Sequence, residues 1–129
     1  MGYHLRYQSQ PWATHHVVSR CLRGYSFLKP TPTIVKTITG VLGRSLFVYS
    51  DCIELHNDVF LSNHFHLLIS SKNTNALSEF MKYFKSNLTR ELARIHDWTG
   101  PMWDKRYSSE EILDVEGMTE VFKLSLIHI

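Results

Sequence analysis

The sequence predicts an α+β fold, a ferredoxin-like sandwich in which two helices cover one face of an antiparallel sheet. Three observations favour this architecture. Segments with strand-type alternation and segments with helical apolar spacing follow one another as strand, helix, two strands, helix and strand. Turn-forming residues separate them, and 129 residues are enough to build one packed core. We therefore expect a single domain over residues 1–129 with this order of elements.

The first strand is predicted from Thr14 to Cys21, after an extended arm over residues 1–12. Side chains alternate between the two faces of a strand, so His16, Val18 and Arg20 share one face. The sequence favours neither of two interpretations of His16 and Arg20: they contact a phosphate, or they are polar residues on a solvated face.

Two helices are predicted from capping residues and apolar stripes. Thr31 caps the first helix and Pro32 takes its first position; its stripe consists of Ile34, Ile38, Val41 and Leu42. The cluster Asn73-Thr-Asn75 precedes a longer helix, whose stripe consists of Leu77, Phe80, Met81, Phe84, Leu88, Leu92 and Ile95. The polar face of this helix indicates a phosphate-binding surface or a solvated face, and its basic residues are Lys82, Lys85, Arg90 and Arg94.

A hairpin is predicted between the two helices. A strand from Asp51 to Phe60 turns at Ser62-Asn63 into a second strand that contains His64-Phe-His66. The alternation points both imidazoles one way and Phe65 the other. Because neutral imidazole is the commonest protein metal ligand, the pair is a candidate metal site. Taken alone, however, the pair favours the other interpretation, two polar side chains on the wet face of an antiparallel sheet.

After the long helix, Trp98-Thr-Gly-Pro101 predicts a reversal of the chain. Met102 to Ser108 then predicts a short strand or extended segment. Side chains that stack on bases and grip phosphate occur in this segment, namely Trp103, Arg106 and Tyr107. A final helix is predicted from Asp114.

The composition, 43% hydrophobic and 20% charged, is that of an ordinary globular protein. No apolar run approaches the roughly 20 residues of a membrane span, and the N-terminus lacks the features of a secretory signal, so the expected location is the cytoplasm. A net charge of +2 permits nucleic-acid binding without arguing for it. Cys21 and Cys52 are expected to be reduced, buried thiols.

Four segments together resemble the single-tyrosine HUH transposases, and in particular the REP-associated tyrosine transposases. They follow that family's order, as Ala13-Thr-His-His-Val-Val-Ser-Arg-Cys21, Ile53-Glu-Leu-His56, Leu61-Ser-Asn-His-Phe-His-Leu-Leu-Ile69 and Gly100-Pro-Met-Trp-Asp-Lys-Arg-Tyr-Ser108. The third is similar to the family's His-hydrophobe-His segment and the fourth to its Trp-x-x-Arg-Tyr/Phe-Ser segment. Four matches in order, across most of the chain, make the resemblance specific.

The resemblance implies a metal-dependent, DNA-nicking enzyme of DNA transposition. His64 and His66 would hold Mg²⁺ or Mn²⁺, and a tyrosine would attack the scissile phosphate of single-stranded DNA to form a phosphotyrosine intermediate. The partner would be single-stranded DNA with a hairpin, the protein a monomer or homodimer, with no membrane involved. Contacts to the DNA are expected from His16, Arg20, Lys82, Lys85, Arg90 and Arg106.

The resemblance fails at the C-terminal helix. The family's nucleophilic tyrosine falls near Leu124, which has no nucleophilic oxygen, and the polar metal-holding residue four positions later falls at His128. We therefore expect a chain truncated or altered before its catalytic helix. The catalytic residue is then unknown, with Tyr107 as a weak substitute.

Two other classes of function stay open. A non-catalytic module that binds single-stranded nucleic acid would have the same fold, aromatic residues and basic helix face. A metal-dependent hydrolase of small substrates would need a pocket with an acid or base, and the nearby carboxylates in the sequence are Glu54 and Asp58.

Overall fold

The computed structural model describes residues 8–112. Its strands are β1 (Ala13–Arg20), β2 (Ile53–Phe60), β3 (His64–Ser71) and β4 (Ser108–Ile112), and its helices are α1 (Pro32–Val48) and α2 (Thr74–His96). A short 3-10 turn, Leu22–Gly24, follows β1. The helix predicted from Asp114 lies outside the described residues.

The strands form one sheet in the order β2-β3-β1-β4, with every neighbouring pair antiparallel. Strand β1 therefore lies in the interior of the sheet, between β3 and β4. This order and the two covering helices confirm the ferredoxin-like sandwich that the element pattern predicted.

Both helices cover the same face of the sheet. On β3, Phe65 and Leu67 are fully buried, and the Phe65 ring meets the ring of Phe84 on α2 edge to face at a centroid distance of 5.7 Å. Helix α2 buries its apolar stripe completely at Leu77, Phe80, Met81, Phe84, Leu88 and Leu92. Burying a side chain of this size stabilises the folded state by about 1.5–3 kcal/mol, so this layer is the main source of stability. The prediction for Ile95 is wrong, because it lies 40% exposed in the last turn of α2.

Each helix begins at the predicted cap. The Thr31 hydroxyl accepts a hydrogen bond from the backbone N–H of Ile34, at 3.2 Å, and the Asn73 side-chain oxygen accepts one from Ala76, at 2.8 Å. Both bonds satisfy N–H groups that a helix leaves without partners in its first turn. The cap at Asn73 fixes where α2 starts after β3 and hence which of its residues meet the sheet.

The last strand begins where the predicted one ends. Trp103 makes an isolated bridge to Cys21, whereas the regular ladder to β1 starts only at Ser108 opposite Val18. Between these two pairings, the segment that leads into β4 has two more residues than β1 has. The regular ladder therefore cannot continue from one pairing to the other. The extra length places the exposed segment 104–106 at the end of β1.

The two cysteines differ in environment. Cys21 is buried, as predicted, and burial raises the pKa of its thiol to about 11. Cys52 is only partly buried, so the prediction of a buried thiol is wrong there. Desolvation and the neighbouring Asp51 raise the pKa of Cys52 as well.

The described end of the N-terminal arm is attached to the sheet. Gln8 donates from Nε2 to the Ser71 carbonyl at 2.9 Å, and its Oε1 lies 2.9 Å from Nε2 of His15. Among residues 8–112, no helix combines the length and the apolar character needed to cross a membrane.

Candidate metal and nucleic-acid site

His64 and His66 lie on the face of the sheet that the helices do not cover. Phe65 between them is fully buried in the core on the helix side, and the two imidazole rings have centroids 5.0 Å apart at an interplanar angle of 72°. The strand alternation therefore brings both rings together on one surface, as the sequence predicted. Their role as metal ligands stays a prediction.

The His64 ring is oriented by its sequence neighbour. Nδ1 of His64 lies 2.8 Å from Oδ1 of Asn63. An amide oxygen can only accept a hydrogen bond, so Nδ1 carries the proton and Nε2 carries the lone pair of the neutral ring. A metal-ligating histidine commonly uses its second nitrogen in this way.

The His66 ring is in contact with His16 on the neighbouring strand. Nε2 of His16 lies 2.8 Å from Nδ1 of His66, and the two rings are nearly coplanar, with an interplanar angle of 2° and a centroid distance of 5.0 Å. His16 thus lies within the histidine cluster, which we define as His16, His64 and His66.

Electrostatics around His16 favour its neutral form. Burial lowers the pKa of His16, and the Glu110 carboxylate opposes this shift. Glu110 stands opposite His16 in the β1–β4 register, so both side chains lie on the cluster's side of the sheet.

A second polar chain runs along the same face. Nε2 of the exposed His56 lies 2.7 Å from the Ser70 hydroxyl, which is 2.8 Å from the hydroxyl of Thr14. His56 is also the extra residue of a bulge, because Leu55 and Asn57 pair with consecutive residues of β3. Its hydrogen bond to Ser70 supports a structural role.

The histidine cluster does not complete a metal site by itself. Within residues 8–112, no group of three or more His, Cys, Asp or Glu side chains is arranged to hold an ion. Of the two carboxylates considered for a hydrolase, Asp58 pairs with the core residue Leu67 and so lies on the helix side of the sheet. That position separates it from the histidines.

Arg20 and Arg106 lie at the edge of the histidine face. Arg20 is exposed and stands opposite His64 in the β1–β3 register. Together with Lys105, Arg106 and one carboxylate, Asp104, it lines a small cleft of about 50 Å³ at the end of β1. The extra chain length before β4 brings these cations together, which the sequence did not indicate.

The prediction that the basic residues of α2 lie beside the histidines is wrong. Helix α2 packs on the Phe65 face, so the sheet stands between Lys82 or Lys85 and the histidines. The Lys85 ammonium lies 4.6 Å from the Trp103 ring centroid. Lys82 and Lys85 instead line a shallow notch with Arg106, and Arg106 is the residue that belongs to both depressions.

Arg90 lies elsewhere again. It lines a groove between α1 and α2 that also contains Lys36 and Arg44. None of these three cations forms a salt bridge within the described residues, where the ion pair is Arg94 with Glu91. The sequence did not predict that Lys36 and Arg44 lie near Arg90, because no sequence pattern relates the exposed faces of two separate helices.

The tyrosines of residues 8–112 all lie away from the histidine face. Tyr49 and Tyr83 contact each other on the helix layer, and Tyr25 packs against Phe27 and Trp98. Tyr107 is 8% exposed and belongs to the core. Leu124 and His128, the positions that resemblance assigned to the catalytic helix, lie outside the described residues.

Trp103 is a core residue as well as a partner of Lys85. Its ring packs edge to face on Phe65, with a centroid distance of 5.7 Å, and its Nε1 donates to the Thr89 hydroxyl at 2.7 Å. These contacts account for the Trp of the fourth segment by packing.

Comparison with known structures supports the architecture. A REP-associated tyrosine transposase, solved bound to a REP hairpin, superimposes with a TM-score of 0.71 at 15% identity, over 94% of this chain and 68% of that one. A candidate transposase from Deinococcus radiodurans R1 gives a TM-score of 0.63 at 14% identity, over 96% of this chain and 95% of that one. At these identities the likeness concerns the fold.

Sequence comparison identifies the family. No curated protein matches the chain, but the family model described as "Transposase IS200 like" matches residues 32–121. This match includes the hairpin with both histidines, the long helix and the Arg106 segment, and covers more than two thirds of the chain. The chain belongs to the IS200-like transposase family.

Proposed function

We propose that this chain binds single-stranded DNA across the histidine face, with Mg²⁺ or Mn²⁺ at His64 and His66, for the cleavage and rejoining of DNA strands in transposition. The observation that carries the proposal is the presence of two imidazoles on the sheet face opposite the helices, each with Nδ1 in a hydrogen bond. Family membership supplies the reaction class.

The two imidazoles fit a divalent ion as part of a ligand set. In the tautomer that the Asn63 contact favours, Nε2 is the ligating atom of His64. Two nitrogens leave the remaining positions to oxygen ligands, which Mg²⁺ and Mn²⁺ prefer. When bound, such an ion would polarise a phosphoryl oxygen of the DNA. Because residues 8–112 complete no site of three side chains, we infer that DNA oxygens, water or residues beyond 112 supply the rest.

The cations at the end of β1 would hold the DNA backbone. Arg20 stands opposite His64, and Arg106 shares its cleft. Guanidinium groups bind phosphate through paired N–H donors, so these two side chains would place a backbone phosphate next to the histidines. Lys82 and Lys85 share their notch with Arg106 and would extend the contact around the edge of the sheet.

A DNA hairpin is the proposed form of the substrate. The similar REP-associated transposase was solved bound to a REP hairpin. A hairpin joins a duplex stem to single-stranded flanks, and the two basic depressions that meet at Arg106 would contact both parts. Contacts of this kind depend on charge and weaken with salt.

A non-catalytic binding module is the second candidate function. The observation that favours it is the position of the tyrosines: within residues 8–112 none lies on the histidine face, and Tyr107 is buried. A nucleophile must come within about 3–3.5 Å of the phosphorus to attack, which Tyr107 in its core position does not do. Binding and cleavage are therefore tested separately.

Replacing both ligands tests the metal site. The double variant His64→Ala/His66→Ala should bind Mn²⁺ at least 10-fold more weakly, because it lacks both of the proposed metal-binding nitrogens. Isothermal titration calorimetry or electron paramagnetic resonance measures this affinity. The matched control is His96→Gln, since His96 is exposed at the end of α2 and bonds to the Phe27 carbonyl. Equal Mn²⁺ affinity in the double variant and the wild type would contradict the proposal.

Charge removal tests the DNA surface. Arg20→Gln and Arg106→Gln should each weaken binding of a hairpin with a single-stranded flank, and each should lower the salt slope of log K by roughly 0.7–1, as expected for one lost phosphate contact. Arg90→Gln is the comparison, because Arg90 lies in the groove between the helices. A larger loss of DNA affinity in Arg90→Gln than in the other two variants would contradict the proposal and indicate that the DNA binds to the helix layer.

The covalent step is tested with labelled DNA. Incubation of the 129-residue chain with single-stranded DNA and Mn²⁺ should give no adduct that survives denaturing electrophoresis, because Leu124 occupies the position expected for tyrosine and Tyr107 is buried. An adduct that disappears in Tyr107→Phe would show that Tyr107 leaves the core and is the nucleophile. An adduct that persists in that variant would assign the nucleophile to another residue.

A further inference from the structure

We propose that His16 is a positioning residue, which accepts a hydrogen bond from Nδ1–H of His66 and thereby makes Nε2 of His66 the metal-binding nitrogen. The inference rests on the proposed function, because it concerns one of the two proposed ligands. It replaces the phosphate contact that the sequence suggested for His16.

The contact between the two rings has the geometry of a linear hydrogen bond. The distance from Nε2 of His16 to Nδ1 of His66 is 2.8 Å. The rings are tilted by only 2°, and their centroids are 5.0 Å apart. Rings stacked face to face would approach more closely, so this spacing and the short N···N distance describe two coplanar rings that meet edge to edge.

The same geometry argues against a shared metal ion. Two imidazoles that chelate one ion direct their lone pairs to a point off the line between the nitrogens, which would bring the ring centroids closer together. Here the line between the nitrogens nearly coincides with the line between the centroids. A proton fits between these atoms, so the geometry favours a hydrogen bond between His16 and His66 and leaves His64 and His66 as the proposed metal-binding pair.

The direction of the hydrogen bond decides which nitrogen of His66 faces a metal. If His16 donated, the lone pair of neutral His66 would lie on Nδ1 and point at His16. If His66 donates, its lone pair lies on Nε2. His64 already has its proton on Nδ1, opposite the Asn63 oxygen. Because Nδ1 of His66 is in the hydrogen bond with His16, His66 can bind a metal only through Nε2, and Nε2 has a lone pair only in the second arrangement.

The backbone holds the two rings in place. Strands β1 and β3 pair without interruption, with Val18 opposite His66 and His16 opposite Leu68. Both histidines point to the same face, and His66 is only 9% exposed. Ring orientation is thus limited by packing as well as by the hydrogen bond. Outer partners of metal-binding histidines are typically worth 10–100-fold in metal affinity, and a similar value is expected here.

The test compares a variant that keeps the acceptor with one that removes it. In His16→Gln the amide oxygen can reach the position of Nε2 and accept the same hydrogen bond, whereas His16→Phe keeps the ring shape and offers no acceptor. Long-range ¹H–¹⁵N spectra of the metal-free protein report the tautomer of His66 directly. We expect the Nδ1–H tautomer in wild type and His16→Gln, and its loss in His16→Phe with a 10–100-fold weaker Mn²⁺ affinity.

His56→Leu is the matched control on the same sheet face, because His56 bonds to Ser70 rather than to the cluster; it should leave the tautomer of His66 unchanged. A His66 ring with its proton on Nε2 in the wild type would overturn the inference, as would an unchanged tautomer in a folded His16→Phe variant. Failure of the proposed function is distinguishable. If Mn²⁺ does not bind but the tautomer responds to His16, then His16 positions His66 in a site that is not a metal site.

Discussion

The alternation of side chains along β3 is the constraint on which the rest of the structure depends. Phe65 and Leu67 are fully buried against the helices, and this places His64 and His66 on the opposite face. A slip of one residue in the pairing would bury both imidazoles under α2 and expose both apolar side chains. Burying polar groups without partners costs several kcal/mol, so the core itself enforces the position of the histidines.

The alternation along β3 thus separates the helix layer, which holds the core, from the opposite face, which carries the histidines. The aromatic contacts of Phe65 with Phe84 and Trp103 belong to the helix layer. The histidine face carries hydrogen bonds between side chains of β1 and β3, Thr14 with Ser70 and His16 with His66. Among the described residues, Arg106 at the edge of the sheet lines both the notch on the helix side and the cleft at the end of β1. A DNA strand that follows this edge would pass directly onto the histidines.

Local patterns were sufficient to predict the elements up to the end of α2, but not the bounds of β4. Alternation identified the hairpin, and caps identified the starts of both helices, because each signal depends on residues within one turn or one strand. The stripe of α2 also predicted its buried residues, with Ile95 in the last turn as the exception. Such signals say which face of a helix is apolar. They do not say which face of the sheet that helix will cover, and for that reason Lys82 and Lys85 were expected on the wrong side.

Contacts across the sheet could not be predicted in the same way. The bond between His16 and His66 depends on the register of two strands that are 50 residues apart in sequence. Glu110 approaches His16 only because β4 begins at Ser108, later than the sequence indicated. In both cases the deciding information is tertiary. Asn63 is different, because it precedes His64 directly, and its partner role could have been inferred from that position.

The central claim is that His64 and His66 together bind a divalent ion on the sheet face opposite the helices. Anomalous scattering from crystals of the chain with Mn²⁺ and a DNA hairpin tests it most directly. We expect a single strong peak within bonding distance of Nε2 of both histidines and close to a DNA phosphate. A Mn²⁺ peak at another site, or a DNA-bound protein with no peak between the two histidines, would contradict the account.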